Sequence, residues 1–311
     1  MDDKEFEKQY KDHLSGFHQW GQKSHADQWM LFPQNIGANL SIDEVAVSNG
    51  ELYTVLTNKE KHGGKGSLIA IVQGTKANDI AYILNKIPIE QREMVKEATM
   101  DFCPSMEIAV RAVFPNASVV MDRFHVQQLV TEAVQTMRIE ERWKAIKQEN
   151  KQVKKDRKQN KLYCPKTYAN GDAKKQLLAR SRYLLFKPSS KWTDSQTERA
   201  AILFNEFPKL RHAYHLSMMF RSIYEHSQTR GGAKQRLNDW YAKIEEKGYD
   251  HFITAAEYIK LHEITILNYF PNRSTNAGAE SFNAKLKGFR ALVRGVRDRK
   301  FFLFRVAKLY C

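Results

Sequence analysis

The 311-residue chain reads as an α/β protein: a mixed five-stranded sheet into which a large all-helical insertion is spliced. Three observations predict this. Runs rich in Val, Ile and Thr are confined to residues 40–122, strand signals nearly vanish from Phe124 to about Tyr269, and a strongly basic segment closes the chain. The expected division is an N-terminal helical segment over 1–37, a core made of 38–125 with 270–311, and an all-helical insertion over 126–269.

Taken in order, Phe6, Tyr10, Leu14 and Phe17 recur at helical spacing and predict an amphipathic helix. LSIDEVAVSN, ELYTVLTNK and SLIAIVQG are three strand-like runs, and Asn49-Gly50 between the first two signals a hairpin. HGGKG is a loop suited to a second hairpin; it lacks the Gly-Lys-Ser/Thr ending of a phosphate-binding loop. KANDIAYILNKI is helical, EMVKEATMD is a strand ending at Asp101, and Pro104 opens the helix SMEIAVRAVF. Pro115-Asn116 stops that helix, and ASVVMD is the fifth strand. A long helix follows and turns basic after Glu141. Then come helices over KKQLLARSRYLLF, TERAAILFNEF, HAYHLSMMFRSIYEHS, QRLNDWYAKIEEKG and FITAAEYIKLHEITILNYF.

Hydrophobic residues at 42% and aromatics at 11% mark a globular chain rather than a disordered one. A formal net charge of +15 points to nucleic acid before anionic membrane or a merely solubilising surface. Cys103, Cys164 and Cys311 stand far apart without a CxxC pair, which argues against a disulfide framework and against a cysteine zinc site. No apolar run reaches spanning length and MDDKEFEKQYKDHL is no signal peptide, so a soluble protein of a reducing compartment is expected, with no membrane partner.

Residues 281–300 hold seven Lys or Arg against one acidic residue, yet Glu280 stands directly before them. A carboxylate at the head of a polyanion-gripping stretch makes sense if it faces a metal ion. The succession SIDEVAV, TMDFCPSM, FPNASVVMDRFHV and NRSTNAGAESFNAKLKGF resembles the catalytic core of bacterial insertion-sequence transposases of the DDE class. The similar branch carries a DRFHV segment and a helical insertion and is distantly Mutator-like; the resemblance covers roughly residues 38–310. It implies a ribonuclease-H-like fold, metal-dependent cleavage at insertion-sequence ends, strand transfer by the freed 3′-hydroxyl, and a triad of Asp43, Asp101 and Glu280.

In the ribonuclease-H-like arrangement of this strand order the fourth strand lies beside the first, so Asp43 and Asp101 end ~5 Å apart, one inter-strand spacing. Two such carboxylates repel unless a divalent cation lies between them, and with Glu280 they form an oxygen-only set suited to two ions of Mg²⁺ or Mn²⁺. Arg273, Asn276, Asn283, Lys285, Lys287, Arg290, Arg294 and Arg297 are the expected DNA-contacting residues. Double-stranded DNA, as transposon end and as target, is then the partner. A homo-oligomer and a cytoplasmic, nucleoid-associated location follow from the resemblance. Members of the branch carry an N-terminal zinc-ribbon and helix-turn-helix; here about forty residues precede the first strand, so end recognition is expected from a separate small subunit.

Plainer readings stand beside these. Asp43 is also an acceptable polar residue of a half-exposed strand, Asp101 and Asn276 are acceptable helix N-caps, and Glu280 is an acceptable surface carboxylate pairing with Lys287 or Lys285. Asp122 rivals Asp101 but starts ~10 Å from the first strand, so it is read as supporting or as a cap. His125 is either a core histidine or a supporting group near the metal. The lysines of 147–161 are either a solvated face or a DNA contact. Trp143, Trp192 and Trp240 are read as core packing before base stacking. A catalytically inactive DNA-binding relative, and a nuclease or resolvase on the same fold, are the alternative functions.

Overall fold

The computed structural model describes residues 3–47, 51–293 and 297–311. The Asn49-Gly50 turn and Arg294 lie outside the described residues.

Two compact units result, Met1–Asp122 with Asn272–Cys311, and Arg123–Pro271. The first opens with α1 (Asp3–Gln9) and a π-helical turn over Tyr10–Leu14. The predicted stripe does not become a buried face. Phe6 and Leu14 stay exposed, and Phe17 enters the core through edge contacts with Phe301 and tilted contacts with Phe304.

The sheet has six strands: β1 (Trp29–Leu31), β2 (Asn39–Ala46), β3 (Leu52–Asn58), β4 (Leu68–Gln73), β5 (Glu97–Met100) and β6 (Ser118–Met121). Their spatial order is β1-β4-β3-β2-β5-β6. β2, β3 and β4 form an antiparallel meander, while β5 runs parallel to β2 and β6 parallel to β5. The expected count of five is therefore one short. β1 is only three residues long and pairs antiparallel to β4 at the sheet edge. A run that short has no alternation to detect, and its strand character comes from the β4 edge it caps.

Between β4 and β5 lie α2 (Ala77–Leu84) and α3 (Ile89–Glu93), and between β5 and β6 lies α4 (Pro104–Val113), with Pro104 at its first position as expected. α2 and α4 pack together on one face of the sheet. Ile42, Ala98, Met100, Val119 and Met121 are buried on that face, each alternating with a residue of the other face. The second face carries Val45, Val55 and Ile71, which join the closing helices of the chain through Phe282, Leu286, Phe301 and Phe304 in one apolar cluster. Burying each such side chain contributes about 1.5–3 kcal/mol.

The helical unit comprises α5 (Arg123–Lys158), α6 (Lys174–Arg180), α7 (Asp194–Glu206), α8 (Pro208–His226), α9 (Arg230–Lys247), α10 (Asp250–Leu261) and α11 (Glu263–Leu267). α12 (Tyr269–Asn272) ends it, so the predicted single helix over 252–270 is in fact three pieces. Trp240 is fully buried and its indole N–H donates to Leu216 O at 2.9 Å; Trp192 likewise donates to Leu184 O at 2.8 Å. Trp143 departs from the packing expectation, being 56% exposed on α5. Among the described residues no helix is long and apolar enough to cross a membrane.

The chain closes with α13 (Ala277–Leu292) and α14 (Arg299–Tyr310). α13 lies on β2 and β3.

Candidate functional site

Strand pairing sets the first geometric fact. β2 and β5 are in register at Ser41↔Thr99, so two residues further along, Asp43 is level with Asp101. β5 and β6 are in register at Met100↔Met121, which makes Asp101 level with Asp122. Three aspartates thus stand level across three adjacent parallel strands, Asp43 within β2 and Asp101 and Asp122 directly after β5 and β6, ~5 Å apart per step. Strand ends of this kind are where open α/β sheets bind ligands. Position i, i+2 alternation puts Asp43 on the same face as Ser41 and Val45, the face that α13 covers.

α13 supplies the second fact. Asn276 at its N-cap donates its side-chain N–H to Asp101 Oδ1 at 3.4 Å, while its backbone N–H donates to Asp122 Oδ2 at 2.7 Å. Two turns on, Asn283 Nδ2 donates to Asp43 Oδ2 at 2.7 Å and to Glu44 O at 3.4 Å. Asn276, Glu280, Asn283 and Lys287 follow one another at spacings of four, three and four, which is a single stripe of a helix. Glu280 therefore sits between the two asparagines along the helix, exposed, one turn from each. A carboxylate in a first helical turn is also favoured by the helix dipole, so its position has an ordinary stabilising component.

The N-cap of α4 is Cys103 rather than Asp101. Burial, and then the hydrogen bond from its Sγ to Glu44 Oε1 at 3.3 Å, push the Cys103 thiol up, so it stays protonated at neutral pH.

Beneath the aspartate row runs a polar network that the sequence reading missed. Glu97, only 3% exposed, shares a face with Thr99 and Asp101. Lys59 Nζ lies 3.2 Å from Glu97 Oε1 and 2.8 Å from Thr99 Oγ1, and Asn272 Nδ2 donates to Glu97 Oε2 at 3.1 Å. Burial by itself would raise the Glu97 pKa, but hydrogen bonds from Ser274 and Asn272 and the Lys59 charge hold it below the ordinary carboxylate value. The detectable signal was Glu97, Thr99 and Asp101 alternating in a strand otherwise read as buried.

The expected DNA-contacting residues separate into groups. Asn276 and Asn283 are 0% and 5% exposed and face carboxylates, which removes them from a DNA-facing surface. Lys285 Nζ donates to Gly63 O at 2.8 Å. Gly63 has φ +69°, and a Cβ there would meet Gly278 O and Phe282 N at 3.4 Å, so the glycine loop is what lets the hairpin close against α13. The Arg290 guanidinium lies 4.9 Å from the centre of the Phe302 ring, while Arg273, Lys287 and Arg297 are exposed. His125 belongs to the helical unit, in the first turn of α5, with its ring edge-on to Phe124.

The transposase family model DDE_Tnp_ISL3 matches residues 40–306. The chain belongs to this transposase family. It is also 21% identical over 269 residues to the transposase for insertion sequence element IS1001 of Bordetella parapertussis. That match covers 86% of this chain and 59% of the relative, so the chain spans little more than half the relative's length. No solved structure matches.

DDE transposases generally use divalent metal ions. The donors of this family member fit such an ion in kind: carboxylates on the sheet face two amides whose Oδ1 atoms, on Asn276 and Asn283, are buried without a hydrogen-bond partner. Each such orphan oxygen costs about 1–3 kcal/mol. The side chains are turned to one another rather than to a common centre. Among the described residues no three His, Cys, Asp or Glu side chains are grouped closely enough to hold a metal.

Proposed function

We infer that this chain is the catalytic core of a DDE transposase, cleaving DNA at insertion-sequence ends and joining them to a target. The observation that carries the inference is the level row of Asp43 and Asp101 on neighbouring strands beneath α13, in a chain of the transposase family. Asp43, Asp101 and Glu280 would hold Mg²⁺ or Mn²⁺, two ions, with Asp122 positioning the start of α13 through the Asn276 N–H. The ions, when bound, would supply a lowered pKa for the attacking water or 3′-hydroxyl and a countercharge for the leaving oxygen. Asp43 has a fixed height because it lies within β2 opposite Val55, Asp101 because it directly follows β5, and Glu280 because α13 is anchored on both sides of it. The exposed Lys287 shares the Glu280 stripe and, with Arg273 and Arg297, would neutralise phosphates next to the acids. Work as a homo-oligomer belongs to the same reading.

The test is strand cleavage of end-bearing DNA in Mn²⁺. Asp43→Ala, Asp101→Ala and Glu280→Ala are expected to abolish nicking while DNA binding by gel shift persists. Cleavage retained by all three would reject the assignment. Binding with no nicking by the wild-type chain would favour the inactive, DNA-binding relative.

A further inference from the structure

Asn276 and Asn283 were expected to touch DNA, and their burial leaves them without that role. Both amides are sealed from water, both point Nδ2 at a site aspartate, and both leave Oδ1 with no partner. Two side chains seven residues apart share the same defect beside the same row of acids, Asn276 at 3.4 Å from Asp101 and Asn283 at 2.7 Å from Asp43. A half-turn about the last side-chain bond exchanges the amide N and O with almost no change of shape. In the exchanged orientation each carbonyl oxygen would lie against a carboxylate oxygen, which is repulsive without a cation and favourable with one.

We propose that Asn283 and Asn276 form a cation-dependent latch. Without metal the amide N–H groups hold Asp43 and Asp101 and neutralise their repulsion. With a divalent cation the amides reverse and offer carbonyl oxygens toward the ion, so α13 stays docked in both states and Glu280 keeps its place. The latch rests on the metal-binding reading above, and it assigns the asparagines as positioning residues for the carboxylates.

Thermal unfolding of the full chain without DNA tests it, in EDTA and across a Mn²⁺ titration, for wild type, Asn283→Asp and Asn283→Leu. Asn283→Asp sets a second carboxylate beside Asp43. It is expected to unfold at a lower temperature in EDTA, to recover in Mn²⁺, and to shift the Mn²⁺ midpoint roughly tenfold lower. Asn283→Leu removes both amide atoms and is expected to weaken Mn²⁺ binding roughly tenfold or more, read by Mn²⁺ electron paramagnetic resonance. The combined exchange Asp43→Asn with Asn283→Asp restores one carboxylate and one amide, and its EDTA stability is expected to return toward wild type. Equal Mn²⁺-dependent gains for wild type and Asn283→Asp would overturn the latch while leaving the metal reading intact. If Asn283→Leu does not fold, that comparison alone decides. A wild-type chain that gains no stability from Mn²⁺ would overturn the metal reading itself.

Discussion

α13 and the end of α5 are both basic, and they differ in what lies under them. α13 buries Ala279, Phe282, Asn283 and Leu286 along one face and lies on β2 and β3. The last turns of α5 bury nothing: from Asn150 to Asn160 every residue except the half-buried Asp156 is exposed. Lys151, Lys154, Lys155, Arg157 and Lys158 are carried there with Asp156 as their one acidic neighbour on that stretch. Like charges stand at i, i+4 in Lys151–Lys155 and Lys154–Lys158, which disfavours the helix slightly in water. Charge alone therefore does not make a site. α13 differs because apolar packing holds it on β2 and β3 with its asparagines against the aspartates, whereas the end of α5 offers countercharge without geometry.

The largest effect expected from this contrast is on stability. Phe282→Ala should cost about 3–5 kcal/mol in urea unfolding, because it opens a cavity where α13 meets the sheet. Val153→Ala on the exposed end of α5 should cost less than about 0.5 kcal/mol. Similar losses for the two would erase the distinction.

Next comes the buried pair under the acids. The Glu97 pKa is depressed in the folded chain, so the unfolded chain takes up the proton first as pH falls. Its contribution to stability is whole above about pH 5 and is lost as pH drops through the lowered folded value. Glu97→Gln leaves the Lys59 ammonium without its countercharge, so stability at neutral pH should fall while the acid-side slope flattens. An acid limb unchanged in Glu97→Gln, followed by urea unfolding from pH 7 to pH 3, would place the effect elsewhere.

The smallest effect concerns DNA. Lys287→Gln should reduce both DNA affinity and the nicking of bound DNA, and lower the slope of log affinity against log salt by about one. Lys154→Gln with Lys158→Gln should weaken binding alone, leaving the nicking of saturated DNA unchanged. Nicking lost equally in both variants would make the end of α5 part of the site.

Much of the sheet was legible because alternation and turn chemistry are local. Asp43 on one face of its strand and the Pro104 helix start follow from short stretches of residues, whereas the β2–β5 neighbourhood is expected only from the ribonuclease-H-like arrangement. β1 was not legible, since three residues carry no period. Neither was the exposure of Trp143, whose helical spacing among apolar residues looks the same whether or not a partner covers it. The sequence offers Asn276 and Asn283 as DNA contacts and Asn276 also as a helix cap, and the N-cap of α13 is indeed Asn276.

The residues by themselves determined the alternation of β2 to β4, the basic ends, and the placing of Asp43 within a strand, Asp101 at a strand end and Glu280 near a helix start, each a property of neighbours in the chain. Only the tertiary structure decided that Asn283 meets Asp43 across 240 residues, that Glu97 is buried against Lys59, and that one basic helix is docked while the other is bare. The reason is that burial and hydrogen-bond partners depend on which surfaces pack together, and in this chain those surfaces are brought together from opposite ends of the polypeptide.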